Sequence, residues 1–140
     1  MSSNSPVYRS EVKQIVPGPC SGEVVLVDSY ISFFGEVNPE QGCLSTLENR
    51  CFRGKVLVFR GTRGSTVAPY IIYALRKSNA APACIIVAEA EPMLIAGCVI
   101  AEIPLFVAGN YSELVKSIQA SSNSVYLVVR GAELLLYKRV

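Results

Sequence analysis

The spacing of apolar and polar residues in the first half of the chain predicts strands. Met1 to Ser5 is a polar run that we expect to be a frayed tail, and Val7 to Val16 then alternates loosely, as a strand does. A Pro-Gly-Pro run beginning at Pro17 ends this strand. Glu23 to Val27 is a second, more buried strand, and turn residues separate it from a short strand near Cys43 to Thr46. The first half is therefore β-rich.

The second half changes to alternating strands and helices. Lys55 to Phe59 is a continuous apolar strand, and Gly61 to Thr66 follows it as a loop. The period of Val67 to Ser78 predicts a helix, and Cys84 to Ala88 predicts the next strand. These segments together form a β-loop-α-β unit with parallel strands.

The remaining elements continue this alternation. Pro92 opens a helix that we predict to run through Ala101, and Ile103 to Ala108 returns as a strand. Ser112 is the predicted cap of a short helix. Val125 to Val129 and Glu133 to Tyr137 are predicted to close the fold as a pair of strands.

Composition bounds the class of protein. A chain of 140 residues, 51% apolar and 17% charged, is predicted to fold as a single domain spanning residues 1–140. The pattern of strands and helices makes this an α/β domain with a mixed sheet. A net charge of +2, with no basic run, disfavours nucleic acid as a partner. Because the apolar runs are shorter than the roughly 20 residues that a bilayer requires, and no signal region opens the chain, we expect a cytoplasmic protein without membrane contact.

The cysteine and histidine contents limit the chemistry. The five cysteines are Cys20, Cys43, Cys51, Cys84 and Cys98. Their number is odd and no spacing approaches C-x-x-C, so we expect neither disulfides nor a metal or iron–sulfur site in this chain, and interpret them as small buried residues. Histidine is absent and Asp28 is the only aspartate. Any chemistry must therefore use Ser, Tyr, Lys, Glu or Cys, or be completed by groups from elsewhere.

The candidate functional loop is Gly61-Thr62-Arg63-Gly64-Ser65-Thr66, because a buried parallel strand passes into a helix there. The crevice beyond the carboxyl ends of parallel strands commonly binds ligands, and a helix N-terminus attracts anions. Gly61 and Gly64 allow a ligand to approach the backbone closely, and Arg63 offers a forked cation for carboxylate or phosphate. The loop lacks the lysine of a Walker loop, and the chain has no histidine to activate its serine.

Pro69 fixes the register of the helix after this loop. Because proline is tolerated only in the first turn, the helix must begin within about four residues before Pro69, with Ser65 or Thr66 as its cap. One hydroxyl then caps the helix and the other is free to face the crevice. An ordinary strand-loop-helix turn, in which both hydroxyls cap and Arg63 is solvated, explains the same spacing equally well.

Four segments carry recognisable motifs in a fixed order. They are Gly22 to Asp28 with Ser32 to Gly35, Gly54 to Val58, Gly61 to Thr66 with its R-G-S-T core, and Ala81-Pro82-Ala83 leading to Glu91-Pro92 and Gly97 to Ala101. In this order they resemble the small-subunit, swivelling-domain part of the aconitase X family, while Asn38-Pro39 and Leu47 to Arg50 depart from its pattern. The resemblance implies a three-layered swivelling β/β/α fold and a large partner subunit that holds a 4Fe–4S cluster.

The resemblance also implies a reaction. In an aconitase-like dehydration the cluster binds the departing hydroxyl as a Lewis acid, while a base removes the proton α to a carboxylate. Ser65 matches the family's serine base, and its alkoxide would need help from the helix N-terminus and a cation such as Arg63. The residues expected to bind substrate are Arg63, Gly64, Thr66 and Thr62. The implied reaction dehydrates (R)-5-phosphomevalonate to trans-anhydromevalonate 5-phosphate in an archaeal mevalonate pathway to isoprenoids.

Two alternatives stay open. Other members of the family dehydrate a hydroxylated proline, for which the loop chemistry would be the same and only the groove would differ. A chain of a different class, a non-catalytic subunit that binds an anion and regulates or positions a partner, would need the loop but not Ser65 as a base.

Several other residues stay outside the predicted catalytic set. The aromatic run Phe33 to Gly35 is interpreted as core, turn or a wall beside the groove. Glu36 and Glu91 are interpreted as solvated turn carboxylates, although either could orient a partner. Tyr70 and Tyr73, at positions i and i+3 of the predicted helix, are interpreted as packing residues.

Overall fold

The structure, a computed structural model, describes residues 5–45, 50–63 and 66–139. Within them it contains nine strands and four helices. In chain order these are β1 Tyr8–Val16, β2 Ser21–Ile31, α1 Phe33–Glu36, β3 Val37–Asn38, β4 Cys43–Leu44, β5 Val56–Thr62, α2 Ala68–Lys77, β6 Cys84–Val87, α3 Pro92–Ala101, β7 Leu105–Ala108, α4 Tyr111–Ala120, β8 Val125–Arg130 and β9 Glu133–Lys138.

Four parallel strands form the centre of the fold, in the order β2, β5, β6, β7. Helix α2 connects β5 to β6, and α3 connects β6 to β7, as expected for parallel neighbours. Residues Val56 to Phe59 of β5 are fully buried, which explains why this strand reads as a continuous apolar run. All four parallel strands therefore end at one edge of the sheet, which we call the carboxyl edge.

The two long strands β1 and β2 close the sheet into a barrel. The first half of β1 pairs with β9 and its second half with β7, both antiparallel. The first residues of β2 pair with β8, and the rest of β2 pairs with β5. The antiparallel strands, the parallel strands and the helices α2 and α3 thus form three layers, which confirms the predicted swivelling β/β/α architecture and its β-rich first half.

The alternation of side chains along β5 separates two hydrophobic cores. Leu57 and Phe59 pack with α2 and α3, whereas Val56 and Val58 pack inside the barrel with α4, β8 and β9. Where α2 and α3 cross, a Cβ on Gly97 would lie 2.6 Å from Cδ1 of Ile72. The same Cβ would lie 3.1 Å from the backbone Cα of Pro69, so a glycine here lets the two helices pack more closely than a larger residue would.

Most predicted elements are present with small shifts at their ends, and α3 has the predicted bounds. Strand β2 extends well beyond the predicted Glu23 to Val27, because pairing to β5 carries its polar end into the sheet. The predicted cap Ser112 was wrong, since Asn110 caps α4 by accepting a hydrogen bond from the Glu113 N–H at 3.2 Å. The predicted tail lies mostly in residues 1–4, outside the described residues.

Two disulfide bonds contradict the prediction of unpaired cysteines. Cys20 pairs with Cys84 at the start of β6, their Cα atoms 5.4 Å apart, and Cys43 pairs with Cys51 across an antiparallel bridge. Cys98 is the free thiol, and its burial raises its pKa to about 12. The prediction failed because chain spacing does not reveal which strands meet: 64 residues separate Cys20 from Cys84.

Candidate functional site

The first half of the predicted loop lies at the carboxyl edge. Thr62 is the last residue of β5 and pairs with Ile31 of β2. The Arg63 N–H donates to the Ile31 carbonyl at 3.1 Å, which ties the loop to the end of β2. Gly64 and Ser65, the predicted substrate-binding glycine and catalytic serine, lie outside the described residues.

The helix after the loop begins later than its predicted cap. Helix α2 starts at Ala68 with Val67 as its N-cap residue, and Pro69 occupies the first turn as expected. The prediction of Ser65 or Thr66 as cap was therefore wrong, although the predicted register from Pro69 was correct. Thr66 precedes the cap and is exposed, on the side of the loop that faces α3.

Glu91 joins the loop to the start of α3. Its carboxylate caps α3 by accepting hydrogen bonds from the backbone N–H groups of Met93 and Leu94, both at 3.1 Å. The same carboxylate accepts a hydrogen bond from the Thr62 hydroxyl. The interpretation of Glu91 as a solvated turn carboxylate was wrong, because one side chain caps a helix and holds the last residue of β5.

Glu36 holds the next residue of the loop. One of its oxygens accepts from Nη2 of Arg63 at 2.6 Å, and the other accepts from the Ser32 backbone N–H at 3.1 Å. The side chain of Glu36 is 23% exposed and that of Arg63 is 59% exposed, so water still screens part of this ion pair. Arg63 is therefore paired with Glu36, although most of its side chain stays exposed, and the interpretation of Glu36 as a solvated turn carboxylate was also wrong.

The aromatic pair before Glu36 divides between the core and the surface. Phe33 is buried and contacts Phe59 edge to face, with ring centroids 6.0 Å apart. Phe34 is 67% exposed. Phe33 thus anchors the short helix α1 that presents Glu36 to Arg63.

A second polar cluster lies beside the loop, and it was not predicted from the sequence. Asp28, the only aspartate, accepts hydrogen bonds from Arg60 at 3.0 Å and from the Tyr111 hydroxyl at 3.2 Å. The Arg60 guanidinium also stacks over the Tyr111 ring, 5.2 Å from its centroid. Burial, and then the nearby Asp28 carboxylate, raise the pKa of the Tyr111 phenol. A lone aspartate at the end of an apolar strand was the available signal.

Tyr30 connects this cluster to the loop. Its hydroxyl donates to Glu89 at 2.8 Å, and this hydrogen bond raises the pKa of the Tyr30 phenol. A Cβ on Gly61 would lie 3.2 Å from both the Tyr30 ring and the Glu89 carbonyl. Gly61 therefore lets β5 pass close under the Tyr30 ring as the loop begins.

Negative groups outnumber positive groups at the carboxyl edge. Among the described residues the ionised side chains of these contacts are Asp28, Glu36, Glu89 and Glu91 against Arg60 and Arg63. Two positive and four negative charges leave a formal balance of −2, and each guanidinium is already paired with a carboxylate. An anionic ligand bound here would need further cations from another source.

The cysteines do not suit an iron–sulfur cluster. Such clusters are held by about four thiolates brought close together, whereas four of the five cysteines are joined in disulfides and Cys98 is buried in α3. The described part of the chain also contains no group of three or more Cys, Asp and Glu residues placed to hold a metal ion. Over these same residues, no helix has the length and apolar character needed to span a bilayer.

The fold and the site define a swivelling β/β/α domain with an anchored, hydroxyl-bearing loop at its carboxyl edge. The family model described as aconitase X swivel domain matches residues 9–132. The chain belongs to the aconitase X swivel domain family.

Named relatives agree with this assignment. The phosphomevalonate dehydratase small subunit of Aeropyrum pernix is 46% identical over 100 residues, which cover 71% of this chain and 74% of the relative. The protein of the same name from Thermococcus kodakarensis is 42% identical over 106 residues, covering 73% and 80%. The crystal structure of Thermococcus kodakaraensis aconitase X in its holo-form superposes with a TM-score of 0.79 and 32% identity, covering 92% of this chain and 98% of that chain.

Proposed function

We propose that this chain is the small subunit of a two-chain hydro-lyase that dehydrates (R)-5-phosphomevalonate to trans-anhydromevalonate 5-phosphate, with Ser65 as the proton acceptor. The names of relatives that are 39% to 46% identical support the activity and the substrate. They also support a larger partner subunit. The proposal places the protein in the cytoplasm, where its two disulfides would persist only in cells that tolerate them, as hyperthermophilic archaea do.

The observation that carries this proposal is the anchoring of the loop. Thr62 and Arg63, the residues immediately before Gly64 and Ser65, are each bonded to a carboxylate from a different element, Glu91 and Glu36. A catalytic group is effective only when its support holds it in a fixed geometry. Two independent anchors at the start of a short loop are the support that a serine base needs.

We propose different roles for the other loop residues, and their contacts support this division. An ionised carboxylate can only accept, so the single O–H of Thr62 is directed at Glu91, and Thr62 serves as an anchor. Arg63 has five N–H donors, of which Glu36 uses one Nη2 group, so donors remain for a substrate anion or for the serine alkoxide. In the proposed site Arg63, Gly64 and Thr66 contact the substrate and Thr62 fixes the loop.

The larger subunit supplies what this chain lacks. The charge balance of −2 at the carboxyl edge implies that most cations for the phosphate and carboxylate of the substrate belong to the partner. The iron–sulfur cluster of an aconitase-type enzyme is assigned to the partner as well, because the cysteines here do not fit one. This chain contributes a positioned hydroxyl and the groups around it.

The test is Ser65→Ala, assayed with the purified larger subunit. Loss of a general base is expected to slow dehydration of phosphomevalonate by about 10²–10⁴-fold, with complex formation by gel filtration unchanged. Ser78→Ala is the matched control, because Ser78 is an exposed serine at the opposite end of α2. A normal rate in an assembled Ser65→Ala enzyme would remove Ser65 as the base. Activity on a hydroxyproline but not on phosphomevalonate would change the substrate and keep the mechanism.

A further inference from the structure

Helix α3 has no polar side chain anywhere along its length. Its ten residues read P-M-L-I-A-G-C-V-I-A. One side of the helix, including Leu94 and Cys98, is buried against the rest of the domain, but Val99 and Ile100 are 57% and 59% exposed. Helices that are apolar on every side normally lie inside a protein, so the outer side of α3 is suited to being covered.

Helix α2 extends this apolar surface. Tyr70 and Tyr73 are 74% and 44% exposed, so their interpretation as packing residues inside this domain was wrong. A groove of about 400 Å³ runs between the two helices. Its lining includes Thr66, Tyr70, Tyr73, Met93, Ala96 and Ile100, all uncharged. Aromatic residues and methionine without charges are the composition typical of the buried centre of a protein–protein interface.

The groove reaches the functional loop. Thr66, the residue after Ser65, lines one end of it. A partner protein that completes a site around this loop must therefore approach Thr66. In doing so it would also contact the groove. A second copy of the chain seated in the same groove would cover Thr66 and obstruct the approach of any other subunit to the loop.

We infer that the outer face of α2 and α3, which we call the α2/α3 face, is the docking surface for the larger subunit, which inserts apolar side chains into the groove. This inference rests on the proposed function, because that proposal supplies the partner. Docking through this face would fix the orientation of the loop relative to the partner. It would also bury the exposed side of α3, as is usual for a helix that is apolar on every side.

The test introduces a charge into the face without unfolding it. Val99→Glu and Ile100→Glu place a residue of higher helix propensity at exposed positions, and this gain offsets part of the cost of a negative charge in the last turn of α3, so the melting temperature of the isolated chain should change little. Val7→Glu is the matched control, since Val7 is 50% exposed and lies beside Leu136 of β9. Binding of each variant to the purified larger subunit is measured by calorimetry or surface plasmon resonance.

Each α2/α3 variant is expected to raise the dissociation constant at least about 30-fold, as loss of an interface hot spot does, while Val7→Glu binds as the unchanged chain does. Unchanged binding by Ile100→Glu would overturn the inference. Self-association of the isolated chain that Ile100→Glu abolishes would identify a second copy as the occupant and would overturn it as well. The proposed function fails by a different result, an assembled Ser65→Ala enzyme with normal turnover.

Discussion

Replacing Glu91 by alanine removes three hydrogen bonds at once, two that cap α3 and one that holds Thr62. Loss of a side-chain N-cap costs about 1 kcal/mol. Loss of a hydrogen bond to a charged group costs about 1.5 kcal/mol when the pair is partly exposed, which is the lower end of the usual range. Glu91→Ala should therefore lower the free energy of unfolding by about 2–3 kcal/mol, measured by urea denaturation of the isolated chain.

A double-mutant cycle with Thr62→Val separates the two contributions. Thr62→Val removes the hydroxyl and keeps the β-branched shape, so it deletes the loop anchor and leaves the cap of α3 intact. The coupling energy between Glu91→Ala and Thr62→Val should be about 1–1.5 kcal/mol. Asn110→Ala removes the cap of α4, a hydrogen bond to the Glu113 N–H that does not involve Thr62, and should show no coupling to Thr62→Val beyond about 0.5 kcal/mol.

Turnover distinguishes an anchor from a merely structural cap. In the assembled enzyme, Glu91→Ala should reduce kcat more than Asn110→Ala does, because only the former frees the residue that begins the loop. Glu91→Gln keeps an acceptor oxygen and should recover part of both losses. A coupling energy near zero, or equal kcat losses in Glu91→Ala and Asn110→Ala, would refute the anchoring argument.

Three further predictions concern the cysteines. The unfolded, unreduced protein should show one reactive thiol with Ellman's reagent, that of Cys98, and finding five would exclude both disulfides. The Cys20–Cys84 bond joins residues 64 apart in the chain, whereas the Cys43–Cys51 bond joins residues 8 apart. Because a longer loop restricts the unfolded chain more, breaking Cys20–Cys84 should lower the free energy of unfolding by about 2 kcal/mol more than breaking Cys43–Cys51. The pKa of Cys98 is higher in the folded protein than in the unfolded chain. Its contribution to the free energy of unfolding is therefore fully present below the pKa of the unfolded thiol and is lost as the pH rises from about 9 towards 12. Cys98→Ala should flatten that decline in urea denaturation, and an unchanged slope would contradict the burial of the thiol.

The limits of sequence reasoning follow from the distance between partners. Local signals were sufficient for α3, because Pro92 marks its start and its apolar residues form one continuous run. They were insufficient for Glu36 and Glu91, whose partners Arg63 and Thr62 lie 27 and 29 residues away along the chain. A carboxylate in a turn has the same local appearance whether it is solvated or fastens a loop.

The β-rich first half and the parallel unit around the loop could be predicted from the amino-acid sequence, because periodicity and turn residues are local properties. Short motifs identified the family, and the resemblance to it implied the layered β/β/α fold. Which groups meet at the carboxyl edge became visible from the three-dimensional fold alone. Barrel closure brings Asp28 to Tyr111 and Cys20 to Cys84, and the crossing of α2 over α3 leaves an apolar groove beside Thr66. Such contacts depend on the path of the whole chain, which no local pattern of residues encodes.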